Sequence, residues 1–179
     1  MKTYIALFRG LNIGGHNIIP MKELTAVLEG LGLMDVRTYL QSGNAVFRAE
    51  EKDKLKLSVA ISDAIEKSRG FRPQTLVLEA GELKKAIDNN PFLEAEGNPS
   101  PVAFSFLFST PAEPDLKTLE SVRAESEKFK LIDNVFYMYA PDGFGRSKLA
   151  ARIEKCLGVP VTGRSLRTVC SIYEKFVKP

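Results

Sequence analysis

Three polar segments of this sequence carry residue types that can hold an anion. The first is Arg9-Gly10-Leu11-Asn12-Ile13-Gly14-Gly15-His16-Asn17, which follows a compact apolar run. Glycine lets a backbone approach a phosphate or carboxylate closely and expose several N–H groups to it. The spacing is neither GxGxxG nor a Walker A loop, so it matches no nucleotide motif. A tight turn with Asn12 capping local backbone groups explains the same residues. The second segment is Pro141-Asp142-Gly143-Phe144-Gly145-Arg146-Ser147-Lys148, running into a predicted helix. There the N–H groups of the helix start would join the donors of Arg146, Ser147 and Lys148. The alternative is a capped surface helix with lysines lying over its edge. The third, Thr162-Gly163-Arg164-Ser165-Leu166-Arg167-Thr168, is again polar and basic at a predicted helix start. Capping by Thr162 or Ser165 accounts for much of it without a ligand.

Other chemistries are poorly served. The one histidine, His16, lies in the glycine-rich segment, and no Ser-His-Asp or Cys-His arrangement can be built on it. No paired carboxylates and no metal-ligand spacing stand out, so no metal site is expected. The sequence names no cofactor, reaction or protein partner. Cys156 and Cys170 have no CxxC pairing and fall on predicted apolar helix faces, as core residues in a reducing compartment would. The opening Met1 to Gly10 reads as a first strand, not a leader, and no stretch nears the ~20 apolar residues of a membrane helix. A cytoplasmic protein without membrane contact is the expectation.

Charge is uneven along the chain. Residues 143–179 hold eight basic and two acidic side chains, net +6, which leaves −3 for residues 1–142 in a chain of net +3. A basic C-terminal face can attract anions, although an ordinary solvated helix surface has the same composition. Lys148, Arg152 and Lys155 fall at helical spacing beside the apolar stripe of Leu149, Ile153 and Cys156.

The elements that must position these residues follow from periodicity. Thr3–Arg9 is a buried strand. Pro20 opens a helix whose Met21, Leu24, Val27, Leu28 and Leu31 share a face, and Gly32 closes it. Val36–Leu40 and Ala45–Arg48 are strands joined through Gln41-Ser42-Gly43-Asn44. Residues 52–69 read as helix, although Leu55, Leu57, Val59 and Ile61 also alternate as a strand would. Gln74–Glu79 is a strand, and a helix follows over Glu82–Asn89. Gly97-Asn98-Pro99-Ser100-Pro101 reads as a linker.

The order then repeats: strand Val102–Phe108, a helix through Leu116, Leu119 and Val122, a hairpin of Phe129–Ile132 and Val135–Tyr139, a helix through Leu149 and Ile153, a strand Val159–Thr162, and a closing helix. The fold class is α+β, two tandem ferredoxin-like βαββαβ subdomains with antiparallel sheets and helices on one face. The expected boundaries are 1–80, a connecting segment 81–101, and 102–179.

In a βαββαβ unit the first and third strands lie side by side and antiparallel. The end of one meets the start of the other, so Arg9, Gly10 and Asn12 should cluster with Gln41, Ser42, Gly43 and Asn44. A cluster rich in donors suits a small anion better than a metal. RNA or single-stranded nucleic acid is a further reading, since Phe8, Phe47, Tyr137 and Tyr139 are strand aromatics that could stack bases, and a protein-interaction module, pairing through open sheet edges or the acidic first half, is a third. Core packing explains the same rings.

At these loops the sequence resembles the bacterial family catalogued as domain of unknown function 1697. The likeness runs through Tyr4 to Gly15, Pro20-Met21 and Leu24, Val36 to Asn44, Asn90-Pro91-Phe92, Gly145 to Leu149, and Arg164 with Thr168-Val169. It implies two ferredoxin-like subdomains and no reaction. The family pattern places lysine after the glycine pair and often a basic residue two positions on. Here these are His16 and Ile18, which takes charge out of the loop. Where the family commonly has Arg-Asn-Trp, this chain has Arg164-Ser165-Leu166, and it contains no tryptophan.

Overall fold

β1 (Lys2–Arg9) is apolar through its middle, and Tyr4, Ile5, Ala6, Leu7 and Phe8 are all buried in a computed structural model of the chain. The structure describes residues 1–41, 43–92 and 100–178. Around β1 stand α1 (Met21–Gly30), β2 (Met34–Thr38), β3 (Asn44–Ala49), α2 (Lys54–Arg69), β4 (Gln74–Glu79) and α3 (Ala80–Asp88). The four strands form one antiparallel sheet in the order β2-β3-β1-β4. Tyr4, Ala6 and Phe8 share a core with Phe47 of β3, Leu24 and Leu28 of α1, and Leu57, Ile61 and Ile65 of α2.

The second half repeats the order with β5 (Val102–Leu107), α4 (Leu116–Val122), β6 (Lys128–Ile132), β7 (Val135–Tyr139), α5 (Lys148–Leu157) and β8 (Val161–Ser165). Its sheet runs β6-β7-β5-β8, the same arrangement, and each neighbouring pair is antiparallel. Leu107, Phe136 and Met138 pack with Leu119 of α4 and with Leu149, Ile153, Cys156 and Leu157 of α5. The α+β class and the repeated βαββαβ units are therefore as read from the sequence. α6 (Leu166–Ile172) follows and continues into wider π-type turns over Tyr173–Val177. By contacts the chain divides into Met1–Lys85 with Ser171–Pro179, and Ala86–Cys170.

The double reading of residues 52–69 is resolved by burial. Leu57, Ile61 and Ile65 are buried, whereas Leu55 is 72% exposed. Spacing by four, not by two, selects the buried residues, and each is worth roughly 1.5–3 kcal/mol in the core. Asp53 caps the helix by accepting from Leu55 N and Lys56 N, and Gly70 closes it.

Two strands differ from the sequence reading by two residues or more. β2 covers Met34–Thr38 and stops short of Leu40, whose φ of 59° leaves the extended region. β8 covers Val161–Ser165 instead of Val159–Thr162, so Arg164 lies on a strand opposite Phe104 and not in a loop at a helix start. The linker expected at 97–101 falls largely outside the described residues.

Tyr137 is buried on β7, edge-on to Phe104 with ring centroids 4.7 Å apart, and its hydroxyl donates to Ala86 O at 2.7 Å. Burial, with a smaller contribution from Asp133, pushes this phenol up to about 12. A raised folded pKa means that the folded state holds the proton more tightly than the unfolded chain does. Stability is then full below the ordinary tyrosine value and falls as pH rises toward 12. Urea unfolding at stepped alkaline pH should show this loss, and Tyr137→Phe should flatten it.

Candidate functional site

The end of β1 and the start of β3 meet as their antiparallel pairing requires. Leu7 is opposite Asn44, and Phe8 N–H donates to Gly43 O at 2.9 Å. Gly43 has φ +91°, and a Cβ there would sit 2.9 Å from Phe8 Cβ and 3.1 Å from Leu11 Cβ. Only glycine allows that approach.

Asn12 ties the two segments together. Its Nδ2 donates to Gln41 O at 2.8 Å and to Ile19 O at 3.0 Å, and its Oδ1 accepts from Ile19 N at 2.8 Å. Asn17 Nδ2 donates to Gly10 O, and Asn44, fully buried, donates from Nδ2 to Tyr39 O. The glycine pair has its own local task. His16 N–H donates to Ile13 O, Asn12 N–H donates to Asn17 O, and Gly14 and Gly15 both have positive φ. That is a two-residue hairpin turn of the kind that demands such dihedrals. The hairpin tip is exposed, with Ile13 and Ile18 among the exposed apolar residues and Leu40 beside the partner turn.

The cluster expected from topology thus forms, but its amides hold the backbone in place. Arg9 reaches out to Gln74 Oε1 at 3.2 Å. Ser42 lies outside the described residues. Sequence reasoning missed one member: Tyr39 is flanked by Lys175, whose Nζ lies 4.9 Å from the ring centroid, and by Phe176, edge-on at 5.9 Å. No local spacing could signal a partner so distant in sequence.

The segment before α5 is built differently. Ser147 caps the helix, its Oγ accepting from Ala150 N at 3.0 Å. The buried stripe of Leu149, Ile153, Cys156 and Leu157 fixes how the helix is turned. Gly145, Arg146, Lys148, Arg152 and Lys155 are consequently exposed. None of these four cations makes an ion pair among the described residues. Glu154, the one carboxylate of α5, accepts from Val161 N at 3.3 Å.

Arg164 is buried at the sheet, not displayed at a loop. Its Nη1 donates to Thr162 Oγ1 at 2.9 Å and to Gly163 O at 2.7 Å, and burial pulls the guanidinium down to about 10. Thr168 lies in α6 with its N–H donating to Ser165 Oγ, a cap of that helix. Of the four strand aromatics, Phe8, Phe47 and Tyr137 are buried in the cores and are not offered for base stacking, whereas Tyr139 is half-buried, with Phe92 beside it and Lys128 over its ring. Among the described residues no group of three or more His, Cys, Asp or Glu is placed to hold a metal, and no helix is long and apolar enough to cross a membrane.

The family model described as Protein of unknown function (DUF1697) matches residues 1–137. The chain belongs to that family. The DUF1697 match takes in the whole first unit's sheet and the Asn12 hairpin, and ends before α5. Among solved structures, the conserved bacterial protein SP0830 from Streptococcus pneumoniae is similar, with a TM-score of 0.71, 23% identity and 97% of each chain covered. At that identity the likeness speaks to the fold alone. A search of curated proteins found no match.

The geometry makes Asn12 and Gly43 stability residues. Asn12→Ala leaves Ile19 N–H and two carbonyls without their partner and should cost about 1–3 kcal/mol in urea unfolding. Gly43→Ala overpacks against Phe8 and Leu11 and should cost a similar about 1–3 kcal/mol.

Proposed function

We propose that this protein binds a small anionic ligand, such as a phosphate or nucleotide, at the segment Gly145–Lys148 that leads into α5. The observation that carries the reading is the placement of two exposed cations, Arg146 and Lys148, with no ion pair among the described residues, at the positive end of a ten-residue helix. Cations there are unfavourable by about 0.3–1 kcal/mol each in the absence of an anion, and acidic residues are the usual choice. No acidic residue occupies the first turn of α5. An anion accepting from the exposed helix start and from both side chains would reverse that penalty. The hairpin at Gly14 and Gly15 supports the reading less, because its glycines serve a turn and its asparagines serve the backbone.

A single substitution separates the two effects. Lys148→Glu should stabilise the ligand-free protein by about 0.3–1 kcal/mol. The same change should remove the rise in melting temperature that phosphate or a nucleoside triphosphate gives at low salt. For the parent protein, ligand at a hundred times its Kd adds about 2.7 kcal/mol. A ligand-induced rise that survives Lys148→Glu unchanged would sink the assignment.

A further inference from the structure

Resting on the anion-binding reading, we propose that the exposed stripe of α5 takes a nucleic acid strand by its phosphates, without reading its bases. Lys148, Arg152 and Lys155 occupy one helical face at spacings of four and three, with Arg146 just before the helix start. At about 1.5 Å rise per residue, Lys148 and Lys155 lie about 10 Å apart along the axis. One strand of a duplex presents a phosphate about every 3.4 Å of axis, so this span covers about three phosphate-to-phosphate steps, enough for each of the three cations to meet its own phosphate. A single small anion at the helix start would leave Arg152 and Lys155 unused. Like charges at these spacings destabilise a helix slightly, and none of the three forms an ion pair among the described residues.

The same helix argues against a membrane surface. Interfacial helices bury an apolar face in lipid, and every large apolar residue of α5 is already buried in the protein. The strand aromatics offer little for base recognition, because Phe8, Phe47 and Tyr137 lie inside the cores, and the half-buried Tyr139 has Phe92 against it and Lys128 over its ring. Binding should therefore be strongly salt-dependent and indifferent to base composition.

Fluorescence anisotropy with labelled single-stranded oligonucleotides, titrated across salt concentration, tests this. Three neutralised phosphates predict a slope of log K against log salt near about −2 for a single strand. Arg152→Gln and Lys155→Gln should each flatten the slope by roughly one phosphate's share, while Arg152→Lys keeps it. Both positions lie past the helix start, so the melting-temperature rise with inorganic phosphate should persist in these variants. If phosphate still binds but oligonucleotide affinity ignores Arg152 and Lys155, the strand inference fails and the anion reading stands. If neither phosphate nor oligonucleotide binds the parent protein, both fail. Binding to anionic vesicles with no binding to oligonucleotides, or a strong preference among homopolymers, also overturns the inference.

Discussion

The orientation of α5 depends on its buried stripe. Leu149, Ile153, Cys156 and Leu157 lock one face of the helix against β5 and β7, and no rotation about the axis is open without exposing them. The charges on the other face are placed by that constraint, not by any contact of their own. Ser147 then sets where the helix begins, and Lys148 becomes its first residue. An amphipathic helix of a packed core can thus hold a run of cations that its own electrostatics disfavour. The cost of such a run is small beside the burial that holds it.

The hairpin after β1 shows the opposite allocation. Its polar residues look from the sequence like a display of donors, yet Asn12, Asn17 and Asn44 each donate to a backbone carbonyl in the same cluster. A chain that turns sharply between two paired strands leaves carbonyls that need partners, and short carboxamides at positive φ are suited to supply them. Asn12 and Asn17 both have left-handed φ. The density of hydrogen bonds there holds Gly43 against Phe8 and Leu11, and with it the pairing of β1 and β3.

Much of the fold was legible because apolar spacing dominates it. The helix at 54–69 could be told from a strand only by which leucines are buried, since both periods fit Leu57 and Ile61. β8 was misplaced because its residues, Val161 to Ser165, include a glycine, an arginine and two hydroxyls that resemble a cap. Pairing with β5 overrode that composition, and in doing so it moved Arg164 from a surface loop into the sheet. The convergence of the two loops followed from topology alone. What their amides do could not, because a carboxamide donates equally well to a ligand or to a carbonyl. The contact of Lys175 with Tyr39 is a long-range packing result with no local signature.

The most direct test of where an anion goes is an amide chemical-shift titration with inorganic phosphate at low salt. The account predicts that amides from Gly145 to Leu149 move, while those of the hairpin from Asn12 to Asn17 stay in place. Movement confined to the hairpin, or no movement in either segment, would contradict it.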